Sequence, residues 1–218
     1  MGEDGSMAGR HILWDMGGTL LDTYPDVERT LAAVVSEHGS TVDPLTVAFL
    51  TRGGPGSSTA GAISELSARF AIPRRAFVGA YDALKRRWRD APPPVMPGAG
   101  EVMGRVFRMG GLNLVVTHRD RASAEALVAA RGLEVDDLIC APDGYPRKPD
   151  PAMYAAMLER HHLDPADCLA VGDRDVDVAA SLAAGIASLR FIVPALPAPA
   201  VPHGTFIGDL TEVLPFLG

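Results

Sequence analysis

An α/β fold with a parallel sheet and a helical insertion after the first strand is predicted by three features of the sequence. Short apolar runs alternate with helical patterns over most of the chain, which is typical of βαβ units. Hydrophobic residues make up 47% of the 218 residues, enough for one sizeable core. Between the first two apolar runs, residues 25–90 carry helical spacing and no good strand pattern.

The predicted core strands are short apolar runs bounded by polar residues or glycine. They cover residues 11–14, 112–116, 138–140, 168–171, 186–193 and 205–207. Capping residues mark the helices between the later runs, since Asp120 is a candidate N-cap and Asp150-Pro151 is a typical opening pair. The helices predicted there are 122–130, 152–160 and 176–184, and a last helix follows the sixth strand.

The helical insertion sets the predicted domain organisation. Its helices are predicted at residues 25–38, 43–51, 58–70 and 74–89, and a stiff proline-rich linker at 91–94 returns the chain to the sheet. We therefore expect an α/β core at residues 10–22 and 96–218, a helical cap at 23–95 and a disordered leader at 1–9. A second proline-rich connector is predicted at 194–202.

Composition excludes several classes of protein. The net charge of −7 argues against wholesale nucleic-acid binding, which favours a basic surface. Apolar runs stay well short of the roughly 20 residues that span a membrane, and the acidic opening residues do not form a signal peptide. Cys140 and Cys168 lie in or beside strand-like runs, which favours buried free thiols over a disulfide. We expect a cytoplasmic monomer or homodimer with no membrane or nucleic-acid partner.

A candidate site lies where the first predicted strand ends. Asp15 directly follows that apolar run, so its carboxylate is expected in the crevice at the carboxyl edge of the sheet. Gly17 and Gly18 allow a tight turn whose N–H groups can approach an anion. A second acid, which a phosphate-cleaving site of this kind normally has two residues on, is replaced by Gly17.

Other polar side chains follow the ends of later predicted strands, at the same edge of a parallel sheet. They are Thr117, Lys148 and Asp173, with Asp177 one helical turn further on. An aspartate can attack phosphorus and hold the phosphoryl group covalently, while a lysine and a threonine neutralise and hold its oxygens. Mg²⁺ suits oxygen ligands, and we predict that Asp15, the Gly17 carbonyl and Asp173 bind it, with Asp177 just behind them.

These segments together resemble the four motifs of the haloacid dehalogenase-like (HAD) hydrolases, over residues 10–217. The matching residues are Asp15-Met16-Gly17-Gly18-Thr19-Leu20-Leu21-Asp22, Thr117, Lys148-Pro149-Asp150-Pro151 and Gly172-Asp173 with Asp177. The resemblance implies a Rossmann-like core with a C1-type helical cap and a Mg²⁺-dependent phosphatase that forms an aspartyl-phosphate on a small phosphorylated metabolite. It also implies that Asp15 is the nucleophile, that Thr117 and Lys148 bind phosphate, and that Asp173 binds the metal.

The sequence departs from the family pattern at Gly17, where phosphatases of the family have an aspartate that protonates the leaving group and activates water. Glycine retains the carbonyl that can bind a metal, but it loses the general acid–base contribution of about 10²–10⁴ in rate. We therefore expect weak hydrolysis of alkyl phosphates and better hydrolysis of acyl or aryl phosphates. The alternative is a catalytically impaired protein that binds a phosphorylated ligand or regulates through it.

His118 and Arg119 stand where the family usually has a small asparagine. They are either a solvated turn or part of the site, in which case His118 partly substitutes for the lost acid or Arg119 grips the substrate.

Two further chemistries on the same scaffold are disfavoured. A phosphonatase needs a cap lysine, and Lys85 lies late in the cap; a 2-haloacid dehalogenase works without metal, whereas this chain keeps Asp173 and Asp177.

Overall fold

Six parallel strands form one sheet in a computed structural model that describes residues 9–53, 56–192 and 205–218. The strands lie in the order β3-β2-β1-β4-β5-β6. They are β1 (His11–Trp14), β2 (Asn113–Thr117), β3 (Asp137–Cys140), β4 (Cys168–Gly172), β5 (Ala187–Phe191) and β6 (Thr205–Ile207). The prediction of a parallel α/β sheet is confirmed, and β1 lies between β2 and β4 at its centre.

The central strand is buried on both faces because helices cover both sides of the sheet. Ile12 and Trp14 point to one side and belong to the larger core, while Leu13 points to the other side and packs in a second core. A near-continuous apolar run is therefore the correct signature of β1. The second strand begins one residue later than predicted, because the buried Asn113 pairs with Ile12 and receives a hydrogen bond from Trp14 Nε1.

Between β1 and β2 the chain is helical, as the spacing predicts. The helices are α1 (Tyr24–Glu37), α2 (Pro44–Ala48), α3 (Thr59–Phe70) and α4 (Arg74–Arg87). The helix predicted at 43–51 is instead a short α-helix followed by a π-helical turn at Phe49–Gly53. Thr51 Oγ1 donates to the Val47 and Ala48 carbonyls inside this turn, so its hydroxyl competes for the helical acceptors.

Four helices lie between the later strands or precede them. They are α5 (Ala99–Arg108), α6 (Arg121–Ala130), α7 (Ala152–His161) and α8 (Asp175–Ala183), and a 3₁₀ turn covers Leu210–Phe216. Asp120 accepts the Ser123 N–H and so caps α6 as predicted. The helix predicted after the sixth strand is this 3₁₀ turn and not an α-helix, and Pro215 lies inside it.

The two ends of the described chain lie next to each other. Gly9 lies inside the fold rather than in the leader expected at 1–9, because its N–H donates to the Phe216 carbonyl at 2.8 Å. The rest of that leader, the connector at 194–202 and the end of the fifth predicted strand at Val193 lie outside the described residues, and β5 ends at Phe191. Cys140 and Cys168 are buried free thiols, as predicted.

None of the helices in the described part of the chain has the length and apolar character that crossing a bilayer requires.

Candidate functional site

Three aspartates lie together at the carboxyl edge of the central strands. Asp15 follows β1 and Asp173 follows β4, which is hydrogen-bonded to β1, while Asp177 lies in the first turn of α8. One carboxylate oxygen of each lies within 4.8 Å of the others, and all three residues are buried. A buried oxygen-only group of this kind matches the ligands that a hard divalent cation prefers.

Lys148 is the cation that the protein itself places against these carboxylates. Its Nζ lies 2.6 Å from Asp15 Oδ1 and 2.5 Å from Asp177 Oδ1, and it donates to the Val116 carbonyl at 2.9 Å. Burial acts to lower the pKa of this ammonium, but the two carboxylates outweigh burial and hold its pKa above the usual value. Lys148 therefore stays charged and neutralises part of the acidic cluster.

Burial and neighbouring charges together set the pKa values of the three carboxyl groups. Burial, and then the neighbouring Asp15, raises the pKa of Asp173 to about 7. Burial also raises the pKa of Asp15, although Lys148 opposes it. The pKa of Asp177 is lowered, because Lys148 and Arg174 outweigh its burial. Three carboxylates thus face two protein cations, Lys148 and Arg174, so a bound cation would offset the repulsion that remains between them.

Two side chains that hold the acidic cluster were not singled out by the sequence analysis. Tyr24 Oη donates to Asp173 Oδ2 at 2.7 Å, from the first turn of α1. Arg174 keeps its pKa above the usual value because Asp177, Asp15 and Asp173 outweigh the effect of its burial. Arg174 stands between two motif residues and so carried a positional signal, whereas nothing local marks Tyr24 as a site residue.

The close approach of Tyr24 depends on Gly18. Gly18 has a φ of +93°, and a Cβ there would lie 2.2 Å from Tyr24 Cε2 and 2.8 Å from Asp173 Oδ2. Both the backbone conformation and the space therefore require glycine at this position.

A pocket of about 460 Å³ opens in front of the cluster, between the insertion and the sheet edge. Of the predicted site residues it is lined by Asp15, Gly17, Thr117, His118 and Arg119. The pocket is not lined by Lys148, Asp173 or Asp177, which are buried behind the lining residues. Lys85, the cap lysine weighed for phosphonatase chemistry, also lines the pocket, with its Nζ 2.7 Å from Asp82 Oδ1.

The loop after β2 places His118 in the pocket, where the charges of Lys148 and Arg174 act on it. Its Nε2 is buried and has no hydrogen-bond partner among the described residues. Burial, followed by the charges of Lys148 and Arg174, lowers the pKa of the His118 ring to about 4. The ring is therefore neutral near pH 7, a state that can accept a proton but is too weak an acid to protonate a leaving group.

Comparison with known proteins shows which family the chain resembles. The model of the haloacid dehalogenase-like hydrolases matches residues 10–185. A phosphoglycolate phosphatase of Cupriavidus necator is 31% identical over 94% of this chain and 91% of its own length. An N-acetylmuramic acid 6-phosphate phosphatase of Pseudomonas putida is 31% identical over 84% and 83%, respectively.

A solved structure gives the same fold. The crystal structure of a predicted phosphoglycolate phosphatase from Haemophilus somnus superimposes with a TM-score of 0.76, at 17% identity and over 94% of this chain and 96% of that one. With the family model matching most of the sequence, the chain belongs to the haloacid dehalogenase-like hydrolases.

Proposed function

We propose that this protein is a divalent-metal-dependent phosphohydrolase that acts on a small phosphorylated metabolite, with Asp15 as the nucleophile. The observation that carries the proposal is the buried group of Asp15, Asp173 and Asp177, whose carboxylate oxygens lie within 4.8 Å and are only partly neutralised by Lys148. The phosphatases among its relatives support the same class of reaction.

The donor set fits Mg²⁺, because it consists of carboxylate oxygens and carries more negative charge than its protein partners neutralise. Asp15, Asp173 and Asp177 would hold the ion, together with the Gly17 carbonyl. When bound, it would offset the repulsion between the nucleophilic carboxylate and the phosphate. Tyr24 holds one oxygen of Asp173 in place by its hydrogen bond.

The protein groups then have separate tasks. Asp15 lines the pocket and attacks phosphorus, which converts one difficult displacement into two easier ones through an aspartyl-phosphate. Lys148 favours the ionised form of the Asp15 carboxylate against the effect of burial and orients it, with Nζ 2.6 Å from Oδ1. Thr117 and the Gly17 amide are proposed to hold the phosphate oxygens, whereas the Gly18 amide that the sequence predicted for this role instead donates to the Leu21 carbonyl at 2.8 Å.

The proposal is tested with Asp15→Asn, assayed for phosphate release from a panel of acyl, aryl and alkyl phosphates with and without Mg²⁺. We expect turnover to require Mg²⁺ and to fall by at least about 10³-fold in Asp15→Asn. Asp120→Asn is the matched control, because Asp120 lines the same pocket and an asparagine still caps α6. Absence of both Mg²⁺ binding and turnover in the wild-type protein would reject the proposal.

A second candidate function is supported by the missing side chain at Gly17. Without a carboxylate there, the same pocket would bind a phosphorylated ligand while turning it over poorly, as a regulatory or binding protein does. Calorimetric binding of inorganic phosphate, combined with turnover no faster than that of Asp15→Asn, would favour this alternative.

A further inference from the structure

Arg119 occupies the space in front of Gly17. A Cβ built on Gly17 would lie 3.8 Å from Arg119 Nη2 and 3.3 Å from Thr23 Oγ1. Aspartate carboxylate oxygens extend about 2.4 Å beyond their Cβ by standard bond lengths. An aspartate at position 17 can therefore reach ion-pair distance of Arg119 in a rotamer that turns its carboxylate toward Nη2, so the guanidinium lies beside the place that the family's second aspartate would occupy.

The Arg119 side chain is held in this place from two sides. Its Nη1 donates to Ser123 Oγ at 3.2 Å, and its guanidinium lies 5.0 Å from the centroid of the Trp88 ring. Trp88 is itself buried and fixed, since its Nε1 donates to Asp26 Oδ2 at 2.8 Å. A guanidinium held this firmly loses little freedom when it pairs with a substrate group.

We propose that Arg119 is a further catalytic residue, whose guanidinium pairs with the leaving-group oxygen as that oxygen departs from phosphorus. This inference rests on the proposed function, because it assumes that Asp15 attacks a phosphate ester. Arginine cannot give up a proton in a protein, so the group it assists leaves as an anion. Arg119 thus stabilises charge where the missing aspartate would have transferred a proton.

The bond changes balance without an acid. In the first step an Asp15 oxygen bonds to phosphorus, the bond from phosphorus to the leaving oxygen breaks, and that oxygen keeps the electron pair beside Arg119. In the second step water bonds to phosphorus, the bond to Asp15 breaks, and the products are the Asp15 carboxylate and dihydrogen phosphate, which retains both water protons.

This arrangement selects a class of substrate. Leaving groups that are stable as anions need no proton, whereas an alkoxide does. The carboxylate released from an acyl phosphate matches the planar fork of a guanidinium and can accept two parallel hydrogen bonds from it. The geometry therefore favours an acyl phosphate, followed by aryl phosphates with acidic phenols.

The first experiment measures kcat/KM for aryl phosphates of graded phenol acidity. We expect Arg119→Gln to lose about 10-fold with the most acidic phenol and about 10³-fold with the least acidic, while the inhibition constant of inorganic phosphate changes less than threefold. Arg119→Lys should recover part of the loss. Arg147→Gln is the control, because Arg147 lines the same pocket from the loop after β3, and its loss should be uniform.

A second experiment needs no turnover and tests the placement of Arg119. Gly17→Asp should lower Tm by at least about 2 °C more in the Arg119→Gln background than in the wild type, because only the wild type supplies a partner for the new carboxylate. Because an aspartate at position 17 would supply the missing general acid, Gly17→Asp is also expected to raise the turnover of alkyl phosphates. This gain should appear mainly in the double variant Gly17→Asp/Arg119→Gln, where the new carboxylate is not paired with Arg119.

The outcomes separate the two proposals. A uniform loss across the phenol series with weakened phosphate binding would show that Arg119 grips phosphate and would overturn this role alone. Independent Tm effects, or a full gain from Gly17→Asp by itself, would show that the guanidinium does not face position 17. Absence of turnover in the wild type and in every variant would overturn the proposed function together with this inference.

Discussion

Replacing Lys148 by methionine tests whether a buried ammonium holds the acidic cluster together. The substitution keeps a linear apolar side chain but leaves Asp15 and Asp177 without the cation that lies 2.6 and 2.5 Å from them. Removing one partner of a buried ion pair typically costs about 3–5 kcal/mol. We therefore expect a large loss of unfolding free energy in the metal-free protein.

The magnitude can be bounded independently. A carboxyl group that loses its cation can bind a proton instead, and from its ordinary pKa of 3.8 this costs about 4 kcal/mol at pH 7. The same proton uptake costs about 2 kcal/mol at pH 5. Because the folded variant then binds more protons than the unfolded chain, its deficit relative to the wild type shrinks as the pH falls.

The assay is urea unfolding in EDTA at pH 5 and pH 7, followed by the fluorescence of the buried Trp14 and Trp88. Lys85→Met is the matched control, since Lys85 forms a partly exposed ion pair with Asp82, and losing such a pair should cost far less than losing the buried one. Adding Mg²⁺ should recover part of the Lys148→Met loss. A loss at pH 7 no larger than that of the control would refute the reasoning.

Three further predictions concern the same site. Gly18→Ala should destabilise the protein by about 2–5 kcal/mol in urea unfolding, because the backbone conformation is strained for alanine and the new Cβ clashes with the Tyr24 ring. The double variant Gly18→Ala/Tyr24→Ala should recover part of this loss, since it removes the clash. Asp173→Asn should weaken Mg²⁺ binding by at least about tenfold in calorimetry, and an unchanged affinity would remove Asp173 from the ligands. In EDTA, the unfolding free energy of the wild type should fall relative to that of His118→Gln as the pH drops from 6.5 through about 4. The reason is that His118 binds a proton at a higher pH in the unfolded chain than in the folded protein, so acid favours the unfolded state.

The fold was predictable because its signals are local. The runs that became β1 to β4 were found within one residue of their observed limits, since strands buried on both faces read as continuous apolar stretches. The helix α5 was not identified, although Val102 and Val106 bury its inner face. Gly100 and Gly104 weaken its helical propensity, so packing against β2 and the 3₁₀ turn decides its structure.

The candidate site was predictable only in part. Parallel strands end at one edge, so the meeting of Asp15 with Asp173 follows from topology. The contact between Arg119 and Trp88 joins the sheet edge to the end of α4, and no local pattern fixes how helices of the insertion pack over that edge.

Because lysine is scarce in this chain, the folded protein can be labelled selectively at one position. Lys85 and Lys148 are its only lysines, and the side chain of Lys148 is 0% exposed whereas that of Lys85 is 32% exposed. An amine-selective reagent should therefore acylate Lys85 alone among the side chains, which places a fluorophore at the rim of the pocket. The slower rate at which Lys148 is acylated would then measure how often the protein opens around Asp15.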